Sequence, residues 1–246
     1  MLIQACLNGA RPPGSHPRLP TTPAHLAADA QACVEFGAGA VHLHPRGADG
    51  RESLAAADVG AAVAAVRRAC PDTPIGVTTG AWIAPDPQRR AAEVRAWAAL
   101  EPAARPDFAS VNVSESGWEQ VVAVLMEAGI GVEAGVWEPE DPARLAASDL
   151  ASRLMRLVVE PQSTDPDAAV RTADTLLDAV RPLASDAPIL AHGREGAAWA
   201  VLEWALDRDL DTRIGLEDTF ELPDGNPTPD NAALLAAART YLMEPH

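Results

Sequence analysis

The chain has 246 residues, enough for one large barrel or two small domains, and 48% of them are hydrophobic, which supplies a sizeable core. Thirty-five acidic residues outnumber 19 basic ones, and a net charge of −16 argues against nucleic acid and anionic membrane as partners and in favour of a small molecule. No run of about 18 uncharged apolar residues is present, which excludes a transmembrane helix.

Residues 1–6 lack the basic start of a signal peptide and run into Asn8-Gly9, so they read as a first strand, and cytoplasmic residence is expected. From there, short apolar or β-branched runs recur, each followed by a segment of helical periodicity such as Trp118, Val121, Val122, Leu125 and Met126. Strands are predicted at residues 2–7, 40–44, 74–79, 107–113, 131–136, 154–160, 187–192 and 212–217. Eight strands alternating with eight helices predict an α/β fold, a (β/α)8 TIM barrel, with residues 1–246 as a single domain. Five capping residues stand directly before a proline, in Thr22-Pro23, Asp86-Pro87, Asp141-Pro142, Asp165-Pro166 and Thr228-Pro229, and each pair predicts a helix start. A symmetric homo-oligomer is the expectation for an enzyme of this kind.

Two features of composition narrow the chemistry. Cys6, Cys33 and Cys70 are odd in number and lack C-x-x-C spacing, so neither a disulfide framework nor a zinc ribbon is indicated. All 19 basic residues are arginine, and the missing lysine rules out Schiff-base aldolase chemistry, a pyridoxal phosphate linkage and a Walker A site. An enolate would then need a metal to stabilise it. Tyr241 is the sole tyrosine, so a tyrosine general acid is not expected.

In a barrel the site lies at the carboxyl ends of the strands. His42 and His44 end the second predicted strand two residues apart, so they share a face and can offer two neutral nitrogens to one ion such as Zn²⁺. Either alone reads better as a core or rim histidine, and it is the pair that points to a metal. Glu217, at the end of the eighth strand and flanking strand one from the other side, is a candidate third ligand; its alternatives are a solvated pair with Asp218 or a helix cap. Asp218 near Arg213 would stay ionised and could abstract an acidic C–H proton, or it could be a salt bridge at the rim. Thr79 and Ser110 or Asn112 are candidate hydrogen-bond donors to substrate oxygens, and each could instead be a turn residue. Glu160 and His192 also fall at strand ends. Trp82 and Trp137 lie where they could wall a pocket, whereas His16, His25 and His246 need no function.

Asn8-Gly9-Ala10, the run Gly37-Ala38-Gly39-Ala40-Val41-His42-Leu43-His44-Pro45-Arg46 with Asp49-Gly50, Thr78-Thr79-Gly80, Arg213-Ile214-Gly215-Leu216-Glu217-Asp218 and Asp230-Asn231-Ala232 occur in an order that resembles the β-keto acid cleavage enzymes, typified by 3-keto-5-aminohexanoate cleavage enzyme. The resemblance implies an oligomeric TIM barrel with Zn²⁺ or another divalent transition metal on His42, His44 and Glu217. It implies a retro-Claisen type reaction in which a β-keto acid and acetyl-CoA give acetoacetate and a new acyl-CoA, an acyl transfer with C–C bond cleavage. Asp218 would be the base and Arg213 its partner, while Thr78, Ser110 and Asn112 would contact substrate.

The chain departs from that pattern in three places. Arg11 stands where an acidic residue is usual. A second acid on strand five, which holds the catalytic arginine, falls on Gly135, with Glu133 two residues away on the same face. The glycine-rich loop after strand six is replaced by Glu160-Pro161-Gln162-Ser163-Thr164. These changes surround the place expected for acetyl-CoA. They keep two alternatives open: a CoA-independent metal-dependent aldolase, decarboxylase or hydrolase using Glu133 or Glu160, and a non-catalytic metabolite-binding barrel.

Overall fold

The computed structural model describes residues 1–184 and 187–243, so His246 lies outside the described residues. Its elements alternate throughout as β1 (Ile3–Cys6), α1 (Pro23–Glu35), β2 (Ala40–Leu43), α2 (Ala56–Ala69), β3 (Ile75–Thr78), α3 (Pro87–Arg95), β4 (Phe108–Asn112) and α4 (Trp118–Glu127). The second half continues with β5 (Gly131–Val136), α5 (Asp141–Ala147), β6 (Arg156–Val159), α6 (Pro166–Val180), β7 (Ile189–Ala191), α7 (Ala198–Leu206), β8 (Asp211–Ile214) and α8 (Asn231–Met243). The eight strands are parallel and close into one barrel, each paired with the next and β8 with β1, as the cadence of the sequence predicts. No helix among the described residues is long and apolar enough to cross a membrane, and all three cysteines are buried free thiols.

Strand alternation divides the side chains between two environments. Ile3, Ala5, Val41, Leu43, Ile75, Val77, Ala109 and Val111 point outward and join the apolar core beneath the helices. The alternate positions, among them Gln4, His42, Thr78, Glu133 and Arg213, carry buried polar groups in the barrel interior. Its lower end is filled by Phe108, which pairs in register with Gly76; a Cβ at Gly76 would overlap the Phe108 ring. Glycine at 76 is therefore a steric requirement for that aromatic floor.

Three of the five predicted helix starts form as expected. Thr22, Asp86 and Asp165 accept hydrogen bonds from the amides of His25, Arg89 and Ala168, with proline in the first turn. The other two differ. Asp141 is the first residue of α5, and its carboxylate accepts from the amides of Trp137 and Glu138, which shapes the turn leaving β5. At α8 the cap is Asp230, accepting from the Ala233 amide, while Thr228 donates to the Asp230 carbonyl.

Candidate active site

Every strand ends its regular pairing earlier than, or level with, its sequence prediction, and at β8 this matters. The strand stops at Ile214, so Glu217 and Asp218 sit in a turn closed by the amides of Asp218 and Thr219 on the Gly215 carbonyl. Gly215 packs so closely on the Cys6 carbonyl that a Cβ would overlap it. The amide of Leu216 donates to Asn231 Oδ1 at 2.6 Å, and Asn231 Nδ2 donates to the Leu7 carbonyl, so a fully buried α8 side chain ties this turn to the end of β1. Arg11 adds a clamp by donating Nε to the Leu216 and Glu217 carbonyls.

The turn delivers Glu217 to the two histidines. His42 is in β2 and His44 follows it, with its backbone held by two 2.9 Å bonds to the Asn8 amide side chain. His44 Nε2 lies 3.6 Å from Glu217 Oε1, and His42 Nε2 lies 4.0 Å from Oε2. One ligand atom from each of the three residues can be chosen so that all lie within 4.8 Å of one another. His44 Nδ1 bonds to Glu52 Oε1 at 2.6 Å, which leaves Nε2 as its free nitrogen. Buried Glu217 Oε2 and His42 Nδ1 have no hydrogen-bond partner. Two imidazoles and a carboxylate with unsatisfied buried atoms fit a divalent transition metal.

Electrostatics favour that fit at His42 and Glu217, whereas at His44 a proton competes with an ion. Burial lowers the His42 pKa to about 3, against the opposing pull of Glu217, which favours the neutral imidazole that a metal ligand requires. Burial also disfavours charge on His44, but the Glu217 and Glu52 carboxylates outweigh it and raise its pKa to about 9. Glu217 is held well below the usual carboxylate range, since Arg213 and the two histidines overcome its desolvation.

Beside this cluster Arg213 Nη2 donates to Glu217 Oε1 at 2.8 Å and to Asp218 Oδ1 at 3.2 Å. Asp218 is 2% exposed and also faces His192 Nδ1 at 3.3 Å. A carboxylate held in this way is oriented and can accept a proton from a neighbouring C–H acid. Arg11, His44, Trp82, Trp137, Arg194 and Asp218 are among the residues around a cavity of about 400 Å³ at the barrel mouth.

The remaining predicted residues are not all brought together. Thr78, Ser110 and Asn112 line the inner end of the site with His42, His44 and Glu217. Thr79 donates its hydroxyl to the Ser110 carbonyl at 2.7 Å, joining the ends of β3 and β4, so its donor is used in the fold. Asn112 Nδ2 is bound by Glu115, which also accepts from the Ala81 amide and pairs with buried Arg90. Glu133 reaches the inner cavity, but its carboxylate accepts from Gln4 and Arg156, and among the described residues no hydrogen bond joins it to Arg213. Arg46 holds the turn after β1 through the carbonyls of Gly9 and Arg11.

Two residues gain roles that the sequence did not assign. Glu52 is fixed by both His44 and the Trp82 indole N–H, yet it lies eight residues past His44 in a loop with no periodicity to mark it. His192 was visible as a strand-end residue, but its place between Asp218 and Glu160 emerges only from barrel closure.

The sequence matches the family described as beta-keto acid cleavage enzyme over residues 1–245. The chain belongs to the β-keto acid cleavage enzymes. Among solved structures it is similar to ObcA, in a binary complex with oxaloacetate, at TM-score 0.75 and 16% identity over 92% of this chain and 64% of that one. A ternary complex of ObcA with a C4-CoA adduct and oxalate gives the same TM-score, identity and coverage. An enolase from Mycobacterium smegmatis, complexed with formate and acetate, is similar at TM-score 0.53 and 16% identity over 98% of this chain and 59% of that one. At these identities the likeness is one of fold, and this member of the family spans about 64% of the ObcA length.

Proposed function

We propose that the chain cleaves a β-keto acid with acetyl-CoA as co-substrate, by a retro-Claisen type reaction that yields acetoacetate and a new acyl-CoA. The observation that carries this reading is the cluster of His42, His44 and Glu217 beside Asp218 and Arg213 in one cavity at the barrel mouth. His42, His44 and Glu217 would hold Zn²⁺ or a similar divalent ion, and Lewis-acid polarisation of the keto-acid carbonyl is the chemistry such an ion supplies. Asp218 removes the acidic proton between the two carbonyl groups, and the hydrogen bond from Arg213 keeps that carboxylate aimed. Thr78, Ser110 and Asn112 bind substrate oxygens at the inner end, and Trp82 and Trp137 exclude water from its sides. Glu133 supports the site from below through Gln4 and Arg156.

ObcA supports both substrates in kind, since it has been captured with oxaloacetate, whose ketone is β to one carboxylate, and with a C4-CoA adduct. Incubating the metal-loaded protein with acetyl-CoA and a panel of β-keto acids is expected to release acetoacetate. No product from a broad panel, with the metal site filled, rejects the reading. Glu160 lines the same cavity without touching the metal cluster, which favours a second reading: CoA-independent aldol cleavage, decarboxylation or hydrolysis with Glu160 as acid–base. Turnover of a keto acid without thioester selects it.

A further inference from the structure

The two oxygens of the Asp218 carboxylate have different surroundings. Oδ1 faces Arg213 Nη2 at 3.2 Å and His192 Nδ1 at 3.3 Å, whereas Oδ2 is buried and accepts no hydrogen bond. His192 follows β7 and is 1% exposed; its other nitrogen, Nε2, lies 3.3 Å from Glu160 Oε2, an ion-pair distance without hydrogen-bond geometry, and Nδ1 also lies 3.3 Å from the Gly193 carbonyl. Glu160 is fixed in turn by the indole N–H of Trp137 at 2.9 Å.

A neutral imidazole has one N–H and one lone pair, so between two carboxylates it would turn a lone pair on one of them. The imidazolium, with a proton on each nitrogen, suits both. The charged groups facing it are Glu160 from the end of β6, Asp218 from the turn after β8 and Arg213 from β8; the two carboxylates outweigh the effects of burial and the arginine, and its pKa rises to about 9. As a cation it would accompany Arg213 in balancing Glu160, Asp218 and Glu217 around the cavity. No acid from β5 takes this part. Gly135 has no side chain, a Cβ there would stand 2.6 Å from Asn112 Oδ1, and Glu133 is held by Gln4 and Arg156.

We infer that His192 is a positioning residue for Asp218: held between Glu160 and Asp218, it fixes Oδ1 and leaves Oδ2 as the oxygen that receives the substrate's proton. This rests on Asp218 acting as the base of the proposed reaction. The proton passes from the acidic carbon of the keto acid to Oδ2, and the electron pair of that C–H bond moves into the adjoining carbonyl. His192 neither gains nor loses a proton in the step.

The test uses the full metal-loaded chain with His192→Gln, His192→Ala and Glu160→Gln. His192→Gln is expected to keep its metal content and circular dichroism, to lower kcat about 100-fold and to leave KM within about threefold of wild type. Added imidazole is expected to restore turnover to His192→Ala. Nitrogen NMR of isotope-labelled histidines is expected to give His192 a doubly protonated signature at about pH 7.5, lost in Glu160→Gln. A neutral His192 in that spectrum, a loss expressed in KM alone, or an absence of imidazole rescue overturns the inference. If a His192 variant does not fold, the wild-type and Glu160→Gln spectra decide. A wild-type protein that turns over no keto acid defeats the proposed function instead, and the spectrum still reports the charge and pairing of His192.

Discussion

Glu52 accepts a 2.6 Å hydrogen bond from His44 Nδ1, so one carboxylate fixes which imidazole nitrogen of a candidate ligand faces the cavity. The same carboxylate receives the indole N–H of Trp82 at 3.0 Å, and Trp82 stacks on the His44 ring. Carboxylates placed behind a ligand histidine raise its basicity and lock its orientation. Glu52→Gln is therefore expected to weaken metal binding by about 10- to 100-fold with the barrel intact. Competition against a chelating dye measures this, and an unchanged affinity removes Glu52 from the site.

Gly9 makes a sharper test of the Glu217 position. Its φ of +51° lies in the left-handed region, and a Cβ there would overlap Glu217 Cγ. Gly9→Ala adds backbone strain of about 1–3 kcal/mol and displaces the Glu217 side chain. The expected outcome is a folded protein of lower Tm that has lost most of its metal affinity. A variant that binds metal as tightly as wild type would mean that Glu217 is not a ligand.

Metal binding should release protons. His44 is protonated in the metal-free protein up to its pKa of about 9, and His42, at about 3, is already neutral. Between about pH 7 and 8 an ion must displace close to one proton, so affinity rises with pH and levels off above about 9. Calorimetry in two buffers of different ionisation enthalpy counts that proton. A count of zero at pH 7.5 contradicts the His44 environment described above.

Asp29 offers a prediction about stability. It accepts a 2.6 Å bond from Asn231 Nδ2, and burial raises its pKa from 3.8 to about 7 despite that bond. The folded state therefore binds this proton more tightly than the unfolded chain. Between about pH 4 and 7 the unfolded chain ionises first, so the contribution of Asp29 to stability falls as pH rises through this window, and the penalty is complete above it. Asp29→Asn keeps an acceptor for Asn231 and removes the charge. It should stabilise the protein by about 2 kcal/mol at pH 8, after allowance for partial solvent screening, and by almost nothing at pH 4. Equal Tm values for the two proteins across that range would refute this.

The barrel was legible because its strands are short apolar runs set between helices that begin at Thr22-Pro23, Asp86-Pro87 and Asp165-Pro166, and each signal is local. Legibility of the site followed the same rule. His42 and His44 are two residues apart, and Glu217 and Asp218 are neighbours, so each half could be read separately. Long-range partners were not legible. Glu133 and Arg156 face one another only because β5 and β6 pair in register, and Thr79 spends its hydroxyl on Ser110 because β3 and β4 pair likewise. Asp230 displaces Thr228 as the cap of α8 since Asn231, next to it, is needed inside the fold.

Phe108, seated over Gly76, makes the barrel a blind-ended vessel. A second cavity, of about 460 Å³, opens at the other end, with Phe108 and Arg156 in its wall. Reactants would therefore arrive and depart at the same end, the mouth lined by Arg11 and Arg194. A two-substrate reaction in such a vessel has to queue: whichever molecule penetrates deepest enters first and leaves last. Arg11 and Arg194 stand at that doorway, whereas Ser110 and Thr78 line the inner end.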